Sequence, residues 1–438
     1  MTRNNVLLFY DRRMIKNFMK YPETHEKAFL LFLFIIGLLL RSIFVYHDYS
    51  MAGTGKWVDD WLYLSLGEEI VSDKWCFIDN IGNFTVAPGI PFLIALFVIL
   101  FNDPIIPFFI YNIIITSLMI PVLYRLGKEI YNKKTGWFLA IWGVFYIEAY
   151  KYCPHILKET TLFLFVPLTI LFIVKSIKSE TGRVKNLVFA SLSFAWLIHT
   201  DERFFVYFPV FILFFFLIKP LTVSSFIRPA LLWIVFVLFL MLPWGIRNYL
   251  TFDQVVILSP RTTVITSNLW GSNLTVETSH FTDEGSRQTL IDSRKNNAMQ
   301  FGNQYNIHPV EYGKSEARWR AFLNFWQPTY FKATFIQYGF RPMKWSLRHN
   351  VASLLFYGIF LPFYIIGFFI LIRQKNHLAL AVITIPFIHS LLHAYMVWPL
   401  ERYRSPVTFI VVMGGIYIIL EVIHTLRDHK LRASIGNL

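Results

Sequence analysis

The stretch KAFLLFLFIIGLLLRSIFVY, residues 27–46, decides the fold class of this chain. It is almost entirely apolar, and about 20 such residues are what an α-helix needs to cross a hydrocarbon core of about 30 Å. No small-residue cleavage site follows it, as one would in a signal peptide. The stretch therefore predicts a retained transmembrane helix.

The composition extends this prediction to the whole chain. Of the 438 residues, 55% are hydrophobic and only 16% are charged, whereas a soluble domain carries charge on about a quarter of its residues. We therefore predict an all-α polytopic membrane protein with about ten transmembrane helices. The nine further candidate spans are 106–125, 136–152, 160–177, 187–202, 204–218, 229–246, 350–372, 377–397 and 405–424.

The basic residues predict the orientation. The formal net charge of +14 could suggest a nucleic-acid partner, but Lys and Arg occur mostly in short clusters between apolar stretches. Such clusters hold loops on the cytoplasmic side of a membrane, so we predict cytoplasmic termini, a plasma-membrane location and no nucleic-acid partner. Because residues 3–27 and 125–134 are both basic, only two crossings separate them, and the apolar run 88–101 is predicted to lie along the outer interface.

This orientation divides the chain into five parts. They are a basic cytoplasmic N-terminus (1–26), a transmembrane core (27–246) with a first outer loop (47–105), a long extracytoplasmic loop (247–349), C-terminal transmembrane helices (350–424) and a cytoplasmic tail (425–438). Within the long loop, Glu316 to Trp326 has apolar residues at helical spacing, which predicts an amphipathic helix on the outer leaflet. Polar function is therefore expected on the outer face.

The first outer loop contains the paired acids Asp59 and Asp60 in WVDDWLY, residues 57–63. Acids near a helix N-terminus at the interface are common for structural reasons alone. Alternatively, one carboxylate accepts a proton from an acceptor hydroxyl or stabilises an oxocarbenium-like sugar. Both interpretations remain open on the sequence.

The second outer loop carries Lys158 and Glu159 at the mouth of the next helix, preceded by His155. Lys158 could pair with a phosphate and Glu159 with a sugar hydroxyl. Equally, a lysine can snorkel and a glutamate can favour a helix N-terminus without any ligand. Depth in the membrane would separate these alternatives.

Further ionisable residues occur at outer helix ends. His199, Asp201 and Arg203 lie between two short apolar stretches, where charge is expensive unless it lines a cavity or is paired. Three more outer arginines are Arg247, Arg402 and Arg404. Convergence on one anionic headgroup would explain them through bidentate guanidinium contacts, while separate snorkelling would also explain them.

Several motifs occur in an order typical of one group of enzymes. They are Asp59-Asp60 before Tyr63, APGIP at 87–91, Lys158-Glu159, PWGIRNY at 243–249, NLWGSN at 268–273 and RYRSP at 402–406. Together they resemble the glycosyltransferase-C superfamily, specifically the bacterial family 39-like proteins related to protein O-mannosyltransferases and to the lipid A aminoarabinose transferase. The resemblance spans about residues 27–424.

The resemblance implies transfer of a sugar from a polyprenyl-phosphate carrier to a lipid, glycan or protein acceptor at the outer surface. It implies that Asp59 serves the reaction, with Asp60 as its neighbour and Glu159 as the acid of the second loop. Where the lipid A enzyme has a Lys-Pro pair, this chain has Ala87-Pro88, so the grip on the carrier phosphate is expected to differ.

The predicted site therefore contains three groups of residues. The catalytic candidates are Asp59, Asp60 and Glu159; the donor-phosphate candidates are Lys158, Arg203, Arg247, Arg402 and Arg404; the other substrate-binding candidates are Tyr63, His155, His199 and Tyr403. No cofactor is expected to be obligatory, although a divalent metal at Asp59, Asp60 and Glu159 stays open. Two other functions also stay open: a flippase for an anionic lipid-linked glycan, and a noncatalytic envelope-assembly subunit.

Overall fold

The computed structural model describes residues 25–52, 58–72, 87–217, 223–252, 315–329, 346–395 and 401–435. All regular structure within these ranges is helical, which confirms the predicted all-α class. The chain has two cysteines, Cys76 and Cys153, and its sequence does not decide whether they pair. Cys76 and the NLWGSN motif lie outside the described residues, as does most of the long loop.

We number the α-helices in chain order. The first ten are α1 (Glu26–Ala52), α2 (Val58–Ser72), α3 (Gly89–Phe101), α4 (Ile105–Ile130), α5 (Lys133–Phe145), α6 (Ile147–Tyr152), α7 (Glu159–Lys178), α8 (Arg183–Thr200), α9 (Tyr207–Phe214) and α10 (Val223–Phe252). The remaining helices are α11 (Ser315–Trp326), α12 (Leu347–Ser353), α13 (Phe360–Arg373), α14 (His377–Ile383), α15 (Ile385–Tyr395), α16 (Glu401–Arg404) and α17 (Thr408–Ile435). A 3-10 turn, Glu202–Val206, joins α8 to α9, and a π-turn, Leu354–Gly358, joins α12 to α13.

Seven helical segments in the described ranges are long and apolar enough to cross a membrane. They are Glu26–Tyr49, Ile105–Ile130, Glu159–Lys178, Phe226–Leu250, Leu347–Arg373, His377–Ala394 and Arg402–Asp428. Each coincides with one of the predicted spans. The other three predicted spans are less regular. The span 136–152 is divided into α5 and α6, residues 187–200 of the span 187–202 lie in α8, and the described part of 204–218 contains the short α9.

Arg41 accounts for the division between α5 and α6. This role of Arg41 was not predicted from the sequence. Arg41 is a charged residue within the apolar first span, and its side chain is fully buried. Its Nη2 donates to the carbonyl oxygen of Gly143 at 2.8 Å, and its Nη1 donates to that of Gly37 at 3.1 Å. The last carbonyls of a helix lack partners within that helix, so Arg41 supplies donors that allow α5 to end inside the bundle.

Small residues bring α4 and α5 close together. A Cβ atom added at Gly136 would lie 2.5 Å from the carbonyl oxygen of Tyr124, and one added at Gly127 would lie 2.9 Å from the Cα atom of Gly136. Glycine at such positions lets two helix backbones approach in an apolar environment. The contact holds the start of α5 in register with the end of α4.

Basic residues predicted to be cytoplasmic meet at one end of the bundle. Glu26 Oε1 lies 3.0 Å from Lys128 Nζ, and Glu26 Oε2 lies 3.2 Å from Lys133 Nζ. Lys178 Nζ lies 3.5 Å from Glu129 Oε2 at the same end. The structure thus joins Lys128 and Lys133 of the second basic cluster to the start of α1, and Lys178 of the third cluster to Glu129 beside the second. Which side of the membrane they occupy stays a prediction.

Two shorter helices lie at the opposite end. The apolar run predicted along the outer interface forms the 13-residue α3, whose Ile94 packs against Gly67 of α2. The segment predicted as an amphipathic helix does form a helix, α11, and its position on the outer leaflet stays a prediction. Its Trp319 and Leu323 are exposed, while Phe325 is buried.

Candidate active site

Three chain segments that are far apart in sequence meet at the end of the bundle opposite Glu26. They are the turn that leads into α7, the connection after α8, and α16. We call their interacting residues the charge cluster: Lys158, Glu159, Asp201, Arg203, Arg402 and Tyr403. Each segment follows or precedes an apolar helix, so packing of these helices carries the charged residues to one place.

Asp201 lies at the centre of the charge cluster. Its Oδ1 accepts a hydrogen bond from Arg203 Nε at 2.7 Å, its Oδ2 accepts one from Arg203 Nη2, and Oδ2 lies 3.2 Å from Lys158 Nζ. Burial raises the pKa of Asp201, but the Arg203 and Lys158 charges outweigh burial and hold that pKa well below its ordinary value. Burial lowers the pKa of Arg203, and Asp201 more than reverses this effect.

Glu159 contributes a carboxylate that is only partly satisfied. Its side chain is 2% exposed, and its Oε1 lies 3.8 Å from Arg402 Nε. Its Oε2 is buried and has no hydrogen-bond partner among the described residues. A buried carboxylate oxygen ordinarily makes hydrogen bonds, so Glu159 retains unused acceptor capacity.

Tyr403 connects the arginines of the charge cluster. The Arg203 guanidinium carbon lies 4.3 Å from the centre of the Tyr403 ring, and that of Arg402 lies 5.1 Å from it. Arg402 Nη2 also donates to the Tyr403 hydroxyl at 3.2 Å. Aromatic faces attract guanidinium groups, so the ring orients both.

Asp60 docks α2 onto the turn before α7. Its Oδ1 accepts a hydrogen bond from Ile156 N at 3.1 Å, and its Oδ2 lies 3.2 Å from His155 Nδ1. Asp60 is 2% exposed. These contacts bring α2, which also carries Asp59, to the segment that carries Lys158 and Glu159; the side chain of Asp59 lies outside what the structure describes.

Asn112, which the sequence analysis missed, holds the same turn from within α4. Its Nδ2 donates to the carbonyl oxygens of Cys153 at 3.0 Å and His155 at 2.8 Å. Its Oδ1 accepts from the Thr160 hydroxyl at 2.6 Å. Because Asn112 is fully buried, the turn has a defined conformation.

Arg404 has contacts outside the charge cluster. Its Nη1 donates to the carbonyl oxygens of Phe325 at 3.0 Å and Gln327 at 2.8 Å, and its guanidinium carbon lies 4.0 Å from the centre of the Tyr357 ring. These bonds cap the C-terminus of α11. Arg404 also lines a narrow recess with Tyr146, Glu148 and Ser353.

Arg247 is likewise placed against other elements. Its Nη1 donates to Asn248 Oδ1 at 3.0 Å, and its guanidinium carbon lies 4.9 Å from the centre of the Trp244 ring. Trp244 packs edge-on against Phe92 of α3. Among the described contacts of Arg247, none is with the charge cluster.

His199 and Tyr63 were also predicted as substrate-binding residues. His199 precedes Asp201 by two residues, and its Nε2 lies 3.4 Å from the carbonyl oxygen of Leu240. Tyr63 is 5% exposed and belongs to the apolar core. Neither residue has a described contact with a member of the charge cluster.

Two histidines beside the charge cluster were also missed. His389 and His393 of α15 are 2% and 1% exposed. His389 Nε2 lies 2.7 Å from the carbonyl oxygen of Tyr403, and the His393 ring stacks on the Tyr403 ring with centroids 5.1 Å apart. Their spacing of four residues places them on one helix face, which was the available signal in the sequence.

The described residues contain no group of three or more His, Cys, Asp or Glu side chains arranged to hold a metal ion. Asp60 is bonded to His155, and Glu159 is beside Arg402. Two of the three acids considered as metal ligands, Asp60 and Glu159, thus have other contacts. The side chain of the third, Asp59, is not described, and a metal at these acids stays untested.

Comparison with known proteins confirms the predicted resemblance. The family model described as dolichyl-phosphate-mannose-protein mannosyltransferase matches residues 85–246, a range that includes Lys158, Glu159 and Arg203. No protein of curated function matches the chain. The resemblance to the glycosyltransferase-C superfamily thus rests on this family model and on solved structures.

The solved structures of similar fold include oligosaccharyltransferases of Archaeoglobus fulgidus. The apo form has a TM-score of 0.55 at 13% identity over 93% of this chain. The archaeal enzyme AglB in complex with an inhibitory peptide and a dolichol-phosphate has a TM-score of 0.50 at 13% identity over 94% of this chain. This chain spans about half the length of each, 52% in both cases, and at such identity the likeness shows the fold.

Proposed function

We propose that this chain is an integral membrane glycosyltransferase that moves a sugar from a polyprenyl-phosphate carrier to a lipid, glycan or protein acceptor at the outer membrane surface. The observation that carries the proposal is the meeting of the buried Glu159 with the partly buried Lys158 and Arg402 in one cluster. Cations and a carboxylate with unused acceptor capacity are the groups that a phosphate-linked sugar requires.

Lys158 and Arg402 are the residues that contact the carrier phosphate. Their side chains are 12% and 19% exposed, against 7% for Arg203. Arg203 is engaged by Asp201 through two nitrogens, so its role is to keep Asp201 ionised. The two more accessible cations stabilise the charge that develops on the departing phosphate.

Glu159 binds the sugar. Its Oε2 can accept a hydrogen bond from a sugar hydroxyl, which would satisfy the oxygen that has no partner among the described residues. Arg402 beside it then spans the junction between sugar and phosphate. This arrangement holds the anomeric carbon close to the cations that stabilise the leaving group.

Asp59 is the general base of the proposed reaction when the acceptor is a hydroxyl. The contacts of Asp60 with Ile156 and His155 anchor α2 against the segment that carries Lys158 and Glu159. Asp59 precedes Asp60 in α2, so it belongs to a helix that is already packed against the donor-binding segment. The acceptor oxygen attacks the anomeric carbon, the bond to the phosphate oxygen breaks, and the configuration inverts. An acceptor that is already ionised needs no base.

The comparisons support this proposal without identifying the sugar or acceptor. The matching family model is named for a dolichyl-phosphate-mannose donor, and one solved structure of similar fold contains a dolichol-phosphate and a peptide. The two named compounds, dolichyl-phosphate-mannose and dolichol-phosphate, each have a phosphate on a long isoprenoid. The corresponding chemical class for this chain is a polyprenyl-phosphate sugar.

The test is incubation of the purified protein in lipid nanodiscs with a panel of polyprenyl-phosphate sugars, with and without extracted cell-envelope acceptors. Mass spectrometry is expected to detect released polyprenyl phosphate and a glycosylated acceptor. Lys158→Met and Arg402→Met should lower turnover by about 100-fold, and Lys178→Met, at the other end of the bundle, should not. Failure of the wild type to consume any donor, or full activity of both variants, would contradict the proposal.

A further inference from the structure

A chain of buried polar contacts runs behind the charge cluster. The Tyr207 hydroxyl bonds to His389 Nδ1, and His389 Nε2 lies 2.7 Å from the carbonyl oxygen of Tyr403. The side chains of Tyr207 and His389 are buried, that of Tyr403 is partly buried, and the three residues belong to α9, α15 and α16. The chain therefore ties the backbone of Tyr403 to two other helices.

The direction of each hydrogen bond follows from its acceptor. A carbonyl oxygen cannot donate, so His389 Nε2 carries the proton and donates to Tyr403. In a neutral imidazole the other nitrogen is then an acceptor, so the Tyr207 hydroxyl donates to His389 Nδ1. His393 Nε2 lies 3.1 Å from His389 Nε2. Because His389 Nε2 carries a proton, His393 Nε2 must be the unprotonated nitrogen of its ring and present a lone pair.

His393 holds the ring of the same tyrosine. Its imidazole lies nearly parallel to the Tyr403 ring, with an interplanar angle of 7°. Phe325 of α11 stacks in turn on His393 with centroids 6.0 Å apart. Tyr403 is thus held at its carbonyl by His389 and at its ring by His393.

The orientation of Tyr403 decides where the guanidinium groups lie. Arg402 both contacts the Tyr403 ring and donates to its hydroxyl, and Arg203 lies over the ring. An arginine side chain has many rotamers and loses conformational entropy when it becomes ordered. A platform that orders Arg402 before the ligand arrives removes part of that loss from binding.

We propose that His389 and His393 are positioning residues, which hold Tyr403 as the platform that pre-organises Arg402 for the carrier phosphate. The proposal rests on the proposed function, and neither histidine touches the substrate. His389 acts through one donated hydrogen bond, and His393 acts through ring stacking.

Two substitutions at His389 separate positioning from packing. Glutamine places an N–H donor close to the position of Nε2, whereas asparagine places polar atoms only near the position of Nδ1. His389→Gln should therefore keep the bond to the Tyr403 carbonyl, and His389→Asn should lose it. The probe is farnesyl phosphate, titrated against the full-length protein in nanodiscs.

We expect His389→Asn to weaken farnesyl phosphate binding by about tenfold, as for the loss of one buried hydrogen bond, and to raise the donor KM correspondingly. His389→Gln should stay within about threefold of the wild type. At the second position, His393→Phe should retain binding because it keeps the stack, and His393→Leu should lose it. Thermal unfolding midpoints identify any variant whose effect comes from loss of the fold.

The outcomes separate this inference from the proposed function. If the wild type does not bind farnesyl phosphate, the proposed donor class is wrong. If the wild type binds it and His389→Asn binds it equally well, only the positioning role is wrong. Equal loss in His389→Asn and His389→Gln would also overturn the positioning role, because the effect would then follow the change in packing and not the hydrogen bond.

Discussion

At Glu159 the chain buries a carboxylate oxygen that has no hydrogen-bond partner among the described residues. Leaving a buried charged group unsatisfied costs a folded protein several kcal/mol. The nearest cation, Arg402, is 3.8 Å away and offers a weak contact. A ligand hydroxyl at Oε2 would explain why this arrangement is retained.

The first prediction concerns this carboxylate. Glu159→Gln keeps the shape of the side chain but removes its charge, so sugar transfer should fall by about 100-fold. The unfolding temperature should stay the same or rise, because a poorly satisfied charge has been removed. Initial rates of donor consumption and thermal unfolding would check both expectations.

The control for Glu159 is Glu129→Gln, which removes an acid paired with Lys178 at the opposite end of the bundle. That variant should retain full transfer activity. Loss of activity in both variants to the same extent would indicate a general effect on folding and would contradict the assignment of Glu159 to the sugar.

The second prediction concerns Asp201. Its removal leaves Arg203 and Lys158 buried without their shared carboxylate, so Asp201→Asn should destabilise the protein by about 3 to 5 kcal/mol. Because the folded-state pKa of Asp201 is lowered, its contribution is complete above the ordinary aspartate pKa of about 3.9 and is lost only as pH falls through the folded value.

The difference in stability between the wild type and Asp201→Asn should therefore be constant from about pH 5 to pH 8. Thermal unfolding in detergent across that range would measure it. Asp428→Asn provides the control, since Asp428 pairs with His424 on an exposed surface and should change stability by less than about 1 kcal/mol. A difference that disappears near neutral pH would contradict the ion-pair assignment.

Most of the predicted site residues could be found from sequence because charged groups are rare between apolar helices. Lys158, Glu159, Arg203, Arg402 and Tyr403 were predicted and meet in space. Arg247 and Arg404 are also charged residues at the ends of apolar helices, but their described contacts are with residues outside the charge cluster. The sequence pattern could not exclude them, because it does not specify the direction of a side chain. His389 and His393 were missed because they lie inside a span and carry no formal charge.

At the scale of elements, the break between α5 and α6 positions the site. The segment 136–152 was predicted as one span, and only the structure shows that it ends at Phe145 and restarts at Ile147. Tyr150 of α6 donates to the carbonyl oxygen of Val144 at 2.6 Å. Together with Arg41, this bond satisfies the end of α5 and lets the chain turn toward Cys153–Glu159.

The third prediction follows from that break. Arg41→Met should destabilise the protein by about 3 kcal/mol, because buried carbonyls at the end of α5 lose their donors. Arg41→Lys retains one donor group and should have an intermediate effect. Thermal unfolding of the three proteins would give the order, and an Arg41→Met variant as stable as the wild type would show that Arg41 does not cap α5.

The fourth prediction concerns the contact between α4 and α5. Gly136→Ala would place a methyl group against the backbone of Tyr124, so the helices must separate and the protein should lose about 1 to 3 kcal/mol. Gly182→Ala is the matched control, since its nearest neighbour would be the Ser179 hydroxyl at 3.2 Å. Equal unfolding temperatures for the two variants would contradict the close approach.

At the scale of the whole molecule, ionisable residues gather at the two ends of the bundle. Glu26, Lys128, Lys133 and Lys178 occupy one end, and the charge cluster occupies the other. The positive-inside rule assigns the first end to the cytoplasm. The charge cluster would then face outward, where an extracytoplasmic acceptor is available.

The fifth prediction tests this orientation. In a background without Cys76 and Cys153, Glu180→Cys and Asp103→Cys each place one thiol at an exposed position between helices. A membrane-impermeant maleimide added to intact cells should label Asp103→Cys only. Labelling of Glu180→Cys after the membrane is opened provides the control, and the reverse pattern would show that the charge cluster faces the cytoplasm.

The sequence by itself determined that the chain is an all-α membrane protein, where its long spans lie, and which charged residues interrupt them. These follow from local composition, because apolar length and isolated charge act within one segment. Only the tertiary structure decided which charges meet, that α5 ends within the bundle, and that two uncharged histidines support Tyr403. Those features depend on the packing between separate helices, such as the contact of Arg41 with Gly143, which lie 102 residues apart, and no local pattern specifies that packing.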